Sequence, residues 1–172
     1  MKTLIVYASQ TGFTKKYAEW ISEKLGADLW TADELKKKPD DCFSPYDEVI
    51  YGGWASMGKV VKSDIFYSKL RKNPVKKTAV FCVGAATVDE PNMKAAMKKI
   101  VPDDLKGSIK TFYCPGGLNY EKMGLSGKLM MKAFASMLKK DEDKKEQGEM
   151  YSHSFDISDK KYIKPIVEWA RA

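Results

Sequence analysis

The first apolar run of the chain, Thr3 to Ala8 (TLIVYA), is short, rich in β-branched and aromatic residues, and stops at the polar stretch Ser9-Gln10-Thr11-Gly12. Its length and composition predict a buried strand. From Thr14 the period changes. Tyr17, Ala18, Ile21, Ser22 and Leu25 recur at helical spacing, Thr14 is available as a cap, and Gly26 follows as a stop. The alternation then repeats, with strands predicted at Asp28 to Thr31, Glu48 to Gly53, Thr78 to Gly84 and Ile109 to Cys114, and helices at about 63–72, 91–101 and 159–171. Parallel strands need crossovers that bury both faces of the sheet. The pattern therefore predicts an α/β fold, a doubly wound five-stranded parallel sheet in the order 2-1-3-4-5 with helices on both faces.

Two stretches depart from this alternation. Lys139 to Glu149 (KKDEDKKEQGE) mixes charges without an apolar residue, which predicts a solvated loop. Before it, Leu125, Leu129, Met130, Ala133, Phe134, Met137 and Leu138 form an apolar helical stripe flanked by Lys122, Lys128, Lys132, Lys139 and Lys140. Most such stripes pack on the sheet or its neighbours, and that is the expectation here. A basic amphipathic helix over 122–140 also suits peripheral contact with an anionic membrane.

A chain of 172 residues suits one core, so residues 1–172 are expected to form one domain, with a helical and charged insertion at about 118–156. No apolar run approaches the roughly 18 residues that span a bilayer, and the N-terminus enters a strand without a leader pattern. The expected location is cytoplasmic, with the inner face of the membrane within reach of 122–140. The formal charge of +7 points to an anionic partner or surface. Its lysines are dispersed rather than gathered with arginines and aromatics into a stripe, so no nucleic-acid partner is expected. Cys42, Cys82 and Cys114 are in no metal-like spacing and read as buried structural thiols, and the single His153 reads as a surface residue. Neither a metal site nor a catalytic side chain is expected.

In an open α/β sheet, ligands sit beyond the carboxyl ends of the strands. The loop after the first strand, Ser9-Gln10-Thr11-Gly12-Phe13-Thr14, offers three hydroxyls, successive backbone amides and a helix N-terminus to one phosphate. It contains no Lys or Arg and lacks the Gly-x-x-x-x-Gly-Lys spacing, so it suits a terminal phosphomonoester better than a nucleoside triphosphate. The loop after the third strand is Gly52-Gly53-Trp54-Ala55-Ser56-Met57-Gly58-Lys59, and the loop after the fourth, Gly84-Ala85-Ala86-Thr87-Val88-Asp89, is small and free of aromatics. After the fifth, Pro115-Gly116-Gly117-Leu118-Asn119-Tyr120 could offer Tyr120 to a ligand.

Ser9, Thr11, Gly12 and Thr14 resemble the phosphate loop of the flavodoxin family, whose pattern is Thr/Ser-x-Thr-Gly-x-Thr at the same place. The resemblance implies a flavodoxin-like fold with non-covalently bound FMN, held at its phosphate by Ser9, Gln10, Thr11, Gly12, Phe13 and Thr14. It implies that Trp54, Ala55, Ser56, Met57 and Gly58 lie against the isoalloxazine ring, and that Gly84, Ala85 and Ala86 reach its pyrimidine edge through their backbone. Many flavodoxins place a stacking Tyr in this last loop, and this chain has none. Residues 107–172, with Gly116-Gly117-Leu118-Asn119-Tyr120 and the basic helix, resemble the branch that contains menaquinone-dependent protoporphyrinogen dehydrogenase. The implied partner is a redox protein or a quinone, for an electron carrier or an FMN-dependent oxidoreductase respectively. A receiver-type signalling domain would need acidic residues where Ser9-Gln10 and Gly52-Gly53 stand, and a phosphatase of this topology would need a Cys leading an Arg-ended loop. A flavin-free scaffold of the same fold is the remaining alternative.

Overall fold

The computed structural model describes residues 1–91 and 93–172. In chain order the elements are β1 (Thr3–Tyr7), α1 (Phe13–Leu25), β2 (Asp28–Thr31), α2 (Ala32–Lys37), β3 (Glu48–Ser56), β4 (Lys59–Val60), α3 (Ser63–Lys72), β5 (Lys77–Gly84), α4 (Met93–Lys99), β6 (Ile109–Pro115), β7 (Gly117–Leu118), α5 (Leu125–Lys139), α6 (Lys145–Tyr151), β8 (Phe155–Asp156) and α7 (Lys164–Arg171). Five strands pair in parallel in the order β2-β1-β3-β5-β6, the predicted 2-1-3-4-5, and β4 folds back antiparallel on β3.

The central strands are apolar throughout because successive side chains enter opposite cores. Leu4, Val6, Val49, Tyr51, Val80 and Cys82 meet Leu35, Phe66, Leu70 and Met97 from α2, α3 and α4 on one face. Ile5, Ile50, Ala79, Phe81 and Val83 meet Tyr17, Ala18, Ile21, Ile166 and Val167 from α1 and α7 on the other. Each large side chain that is fully buried in these layers contributes about 1.5–3 kcal/mol. All three cysteines are buried free thiols, and burial pushes Cys82 up to about 12, which keeps it protonated and inert.

Four helical segments differ from the sequence pattern. The predicted helix over about 91–101 runs over Met93–Lys99, and Asn92 lies outside the described residues. The predicted helix over 159–171 begins with a 3₁₀ turn at Lys160–Ile163 before α7. An unpredicted helix, α2, starts at a capping box in which Thr31 and Glu34 exchange side-chain and backbone bonds. The charged stretch expected as a solvated loop contains α6, which packs on α5 because Gly148 lets the two backbones approach. A Cβ on Gly148 would lie 2.7 Å from the Lys139 amide nitrogen and 2.9 Å from the Ala135 carbonyl oxygen.

At the amino end of the sheet, far from any ligand edge, Glu48 is fully buried and neither carboxyl oxygen has a hydrogen-bond partner. Lys77 Nζ stands 3.6 Å from Oε2, too far for a good hydrogen bond. Burial pushes the carboxyl pKa above its ordinary 4.5 and Lys77 offsets only part of that. The folded chain therefore keeps a proton that the unfolded chain has released, so Glu48 removes stability as pH rises through the window above 4.5. Relative to wild type, Glu48→Gln is expected to gain thermal stability as pH rises above about 4.5, as melting curves recorded at increasing pH would read.

Candidate functional site

The carboxyl edge of the sheet begins where β1 ends. The Ala8 amide donates to the Gly52 carbonyl at 2.9 Å, and the chain then turns through Ser9 to Gly12 into α1. Gly12, the N-cap, has φ +100°, and a Cβ there would meet open space, so the backbone conformation rather than room selects glycine. No side chain caps α1 and no acid stands in its first turn. The Ser9 hydroxyl oxygen beside it is buried without a hydrogen-bond partner. An unpaired buried hydroxyl costs about 1–3 kcal/mol, and an uncapped helix start carries free amides and partial positive charge. One anion at that spot would meet both deficits.

The lysines that follow are engaged elsewhere. Lys16 Nζ bonds Asp156 Oδ2 at 2.5 Å and Ser158 Oγ at 2.9 Å, tying α1 to β8. Burial raises the Asp156 carboxyl, but the Lys16 and Ser158 hydrogen bonds outweigh it and leave the group below the usual carboxylate range. Lys15 stands 3.7 Å from Glu19. Hydroxyls and amides line the loop itself, and Lys15, Lys62 and Lys122 line the recess beside Ser9 and Gly12.

The second loop is shorter than the sequence suggests. β3 runs on through Trp54 and Ala55 to Ser56, where Ala55 pairs with Val60 and Ser56 with Lys59. Met57 and Gly58 form the two-residue turn, both at positive φ, as a type I′ hairpin turn requires. Met57 is 94% exposed. Tryptophans 20, 30 and 169 each pack edge-on against an aromatic ring and lie under a lysine. Among the described residues, Trp54 has neither kind of partner and is half-buried.

Below the third loop, the Tyr113 hydroxyl crosses to the Ala86 carbonyl at 2.8 Å. It passes under Gly84, where a Cβ would lie 2.7 Å from that hydroxyl oxygen. A side chain at Gly84 would thus displace the tether that holds the loop.

These pieces enclose a cavity of about 230 Å³. It brings together Gln10, Thr11, Phe13, Thr14, Trp54, Ala55, Ser56, Gly84 and Ala85 of the residues singled out in the sequence. Ser9 and Gly12 line an adjoining recess shared with Gln10 and Trp54. Gly58 and Ala86 line a separate groove against α4 that also touches Ala55, Gly84 and Ala85, and Met57 projects into solvent. The wall that the sequence reading missed comes from the insertion: Leu118, Met123, Gly127, Met130 and Met131. Their spacing at i, i+4, i+7 and i+8 from Met123 was the available signal, because it marks one helical face. Tyr120 stays out of the cavity; its hydroxyl donates to the Tyr151 carbonyl at 2.6 Å and holds the insertion together. His153 is exposed.

A parallel 2-1-3-4-5 sheet with an uncapped, hydroxyl-rich loop after its first strand and a cavity at its carboxyl edge defines a flavodoxin-like fold. A family model described as flavodoxin domain matches residues 4–145, and the chain belongs to the flavodoxin family. That membership implies a flavin cofactor. Similar solved structures include a flavodoxin from the domain Archaea, 18% identical with a TM-score of 0.44, over 67% of this chain and 85% of that one. Oxidised Flavodoxin 1 from Bacillus cereus is 14% identical with a TM-score of 0.42, over 66% of this chain and 84% of that one. Oxidised Flavodoxin 2 from Bacillus cereus is 18% identical with a TM-score of 0.41, with the same coverage of 66% and 84%. No curated protein sequence matches significantly.

Proposed function

We propose that this chain is a redox protein that holds FMN non-covalently, with the phosphate in the loop from Ser9 to Thr14 and the ring in the cavity beside Trp54. The observation that carries the reading is the buried, partnerless Ser9 hydroxyl beside the uncapped start of α1. When bound, FMN supplies one- and two-electron transfer. The chain's own residues bind, orient and exclude water. The hydroxyls of Thr11 and Thr14 and the amides around Gly12 are the phosphate donors, with the helix start supplying positive field and Lys15, Lys62 and Lys122 lining the adjoining recess. Trp54 offers an unpartnered indole face, and the small residues Ala55, Gly84 and Ala85 leave backbone groups accessible at the ring edge. Met123, Met130 and Met131 close the remaining side against water. Among the described residues, the side chains lining the cavity are uncharged, and Lys15, Asp33, Lys62 and Lys122 stand in the adjoining recess.

Electron transfer to a partner protein is one use of such a site. An FMN-dependent quinone-linked oxidoreductase of the protoporphyrinogen dehydrogenase type is the second reading, favoured by the methionine wall, which suits an apolar reactant. Turnover of menaquinone analogues by the purified protein separates the two. The reading as a whole predicts that the protein purifies with flavin absorbance and releases FMN, about one per chain, on denaturation. Colourless protein that takes up no added flavin would sink it.

A further inference from the structure

Among the described residues, the outer face of α5 has few partners: Phe134 stacks on Tyr151 of α6 with ring centroids 6.0 Å apart, and the side chains beyond it face outward. The helix fully buries only Ala135 and Leu138, against α6 and Leu118. Leu125 is 86% exposed, Leu129 72%, Met137 60%, Met130 58% and Phe134 41%. The expectation that this stripe packs on the sheet or its neighbours holds only in part: α5 is apolar over most of its circumference, and the arc with Ala135 and Leu138 packs on α6. Leucines 125 and 129 with Phe134 and Met137 fall on one continuous outer arc at helical spacing. Contiguous exposed apolar surface of this kind marks an interaction site rather than ordinary surface.

The charge around the arc identifies the occupant. α5 contains three lysines, Lys128, Lys132 and Lys139, and no acid. Among the described residues, Lys122, Lys128, Lys132 and Lys140 have no carboxylate within ion-pair distance, whereas Lys139 pairs with Glu149 at 3.0 Å. A second copy seated on this face would bring like lysines together, since a two-fold contact opposes each patch with itself. An anionic lipid surface meets both features at once, taking the apolar arc into the acyl boundary and the lysines at the headgroups. No helix among the described residues is long and apolar enough to cross a membrane, so the contact is peripheral. Met130 both lines the cavity and reaches the outer surface, so the cavity wall and the exposed arc are continuous.

We propose that α5 docks the protein on an anionic bilayer through Leu125, Leu129, Phe134 and Met137, with Lys132 and Lys140 at the headgroups. The inference stands on the surface of α5 and does not depend on the FMN reading. The test is vesicle flotation of the full chain, with vesicles of phosphatidylcholine alone or with about a quarter phosphatidylglycerol. Binding to the anionic vesicles is expected, at least about tenfold weaker to the neutral ones and weakened by salt. Leu129→Asp with Phe134→Asp should cut the anionic binding at least about tenfold, with helical content and melting unchanged. Should that pair unfold the protein, Lys132→Glu with Lys140→Glu, both at exposed sites, should weaken anionic binding by a similar factor. Wild-type protein that stays off anionic vesicles, or variants that bind as wild type does, would overturn the proposal. A lipid-free dimer abolished by Leu129→Asp with Phe134→Asp would also overturn it, in favour of a second copy.

Discussion

Thr11→Ala combined with Thr14→Ala is expected to weaken FMN binding about 100- to 10,000-fold while leaving riboflavin binding within about twofold. Each hydrogen bond to a charged group is worth about 1.5–3 kcal/mol, and the double variant removes two such donors. Both threonines line the cavity, and Thr14, in the first turn of α1, is only 2% exposed, so its hydroxyl works where water competes little. Riboflavin has the ring and the ribityl chain without the phosphate, so its affinity reports whether the substitutions have disturbed the remainder of the site. Titration of the apoprotein with both ligands gives the two numbers. Equal losses would remove the phosphate from this loop.

The second large effect belongs to Trp54. An indole against the ring favours the oxidised flavin over the electron-rich reduced one, so Trp54→Ala is expected to raise the midpoint potential by about 10–30 mV. Bound-flavin fluorescence should increase severalfold as the quenching ring leaves. The backbone at Trp54 remains paired with Val83 of β5, so the strand keeps its register when the side chain is cut. The preference for FMN over riboflavin is expected to stay intact, because the phosphate loop lies on another element. Trp54→Phe should restore part of both effects. A spectrum and potential unchanged in Trp54→Ala would place the indole away from the flavin.

Much of this architecture is readable from residues alone, and the misses have physical causes. The parallel strands announce themselves because burial on both faces forbids polar interruptions: Leu4 and Ile5 enter different cores, and both must be apolar. The predicted strand stops at Gly53, three residues short, because Trp54 to Ser56 carry no alternation that marks them as the arm of a hairpin. In the sheet Gly52 is glycine for packing, since a Cβ there would lie 2.0 Å from Phe81 Cζ. α2 spans only 6 residues and buries two apolar side chains, too few for a period, so its capping box was the only local signal. α6 was disguised by charge, because its contacts are made by Gly148 and Tyr151 rather than by an apolar stripe.

The candidate site divides in the same way. The first loop is contiguous in sequence and therefore visible, whereas the methionine wall arrives from an insertion more than 100 residues downstream, and only the fold brings it to Thr11. Periodicity marked α5 as apolar but not which of its two apolar arcs faces inward. Gly127, Met130 and Met131 line the cavity, Ala135 and Leu138 pack on α6, and Leu125, Leu129 and Met137 stay exposed.

The most direct measurement is the affinity of the wild-type apoprotein for FMN and for riboflavin, determined side by side by fluorescence or calorimetric titration. A phosphate cradle made of an uncapped helix start, a buried serine and two threonines predicts that FMN binds at least about 100-fold more tightly than riboflavin. Equal affinities, or no binding of either, would contradict it.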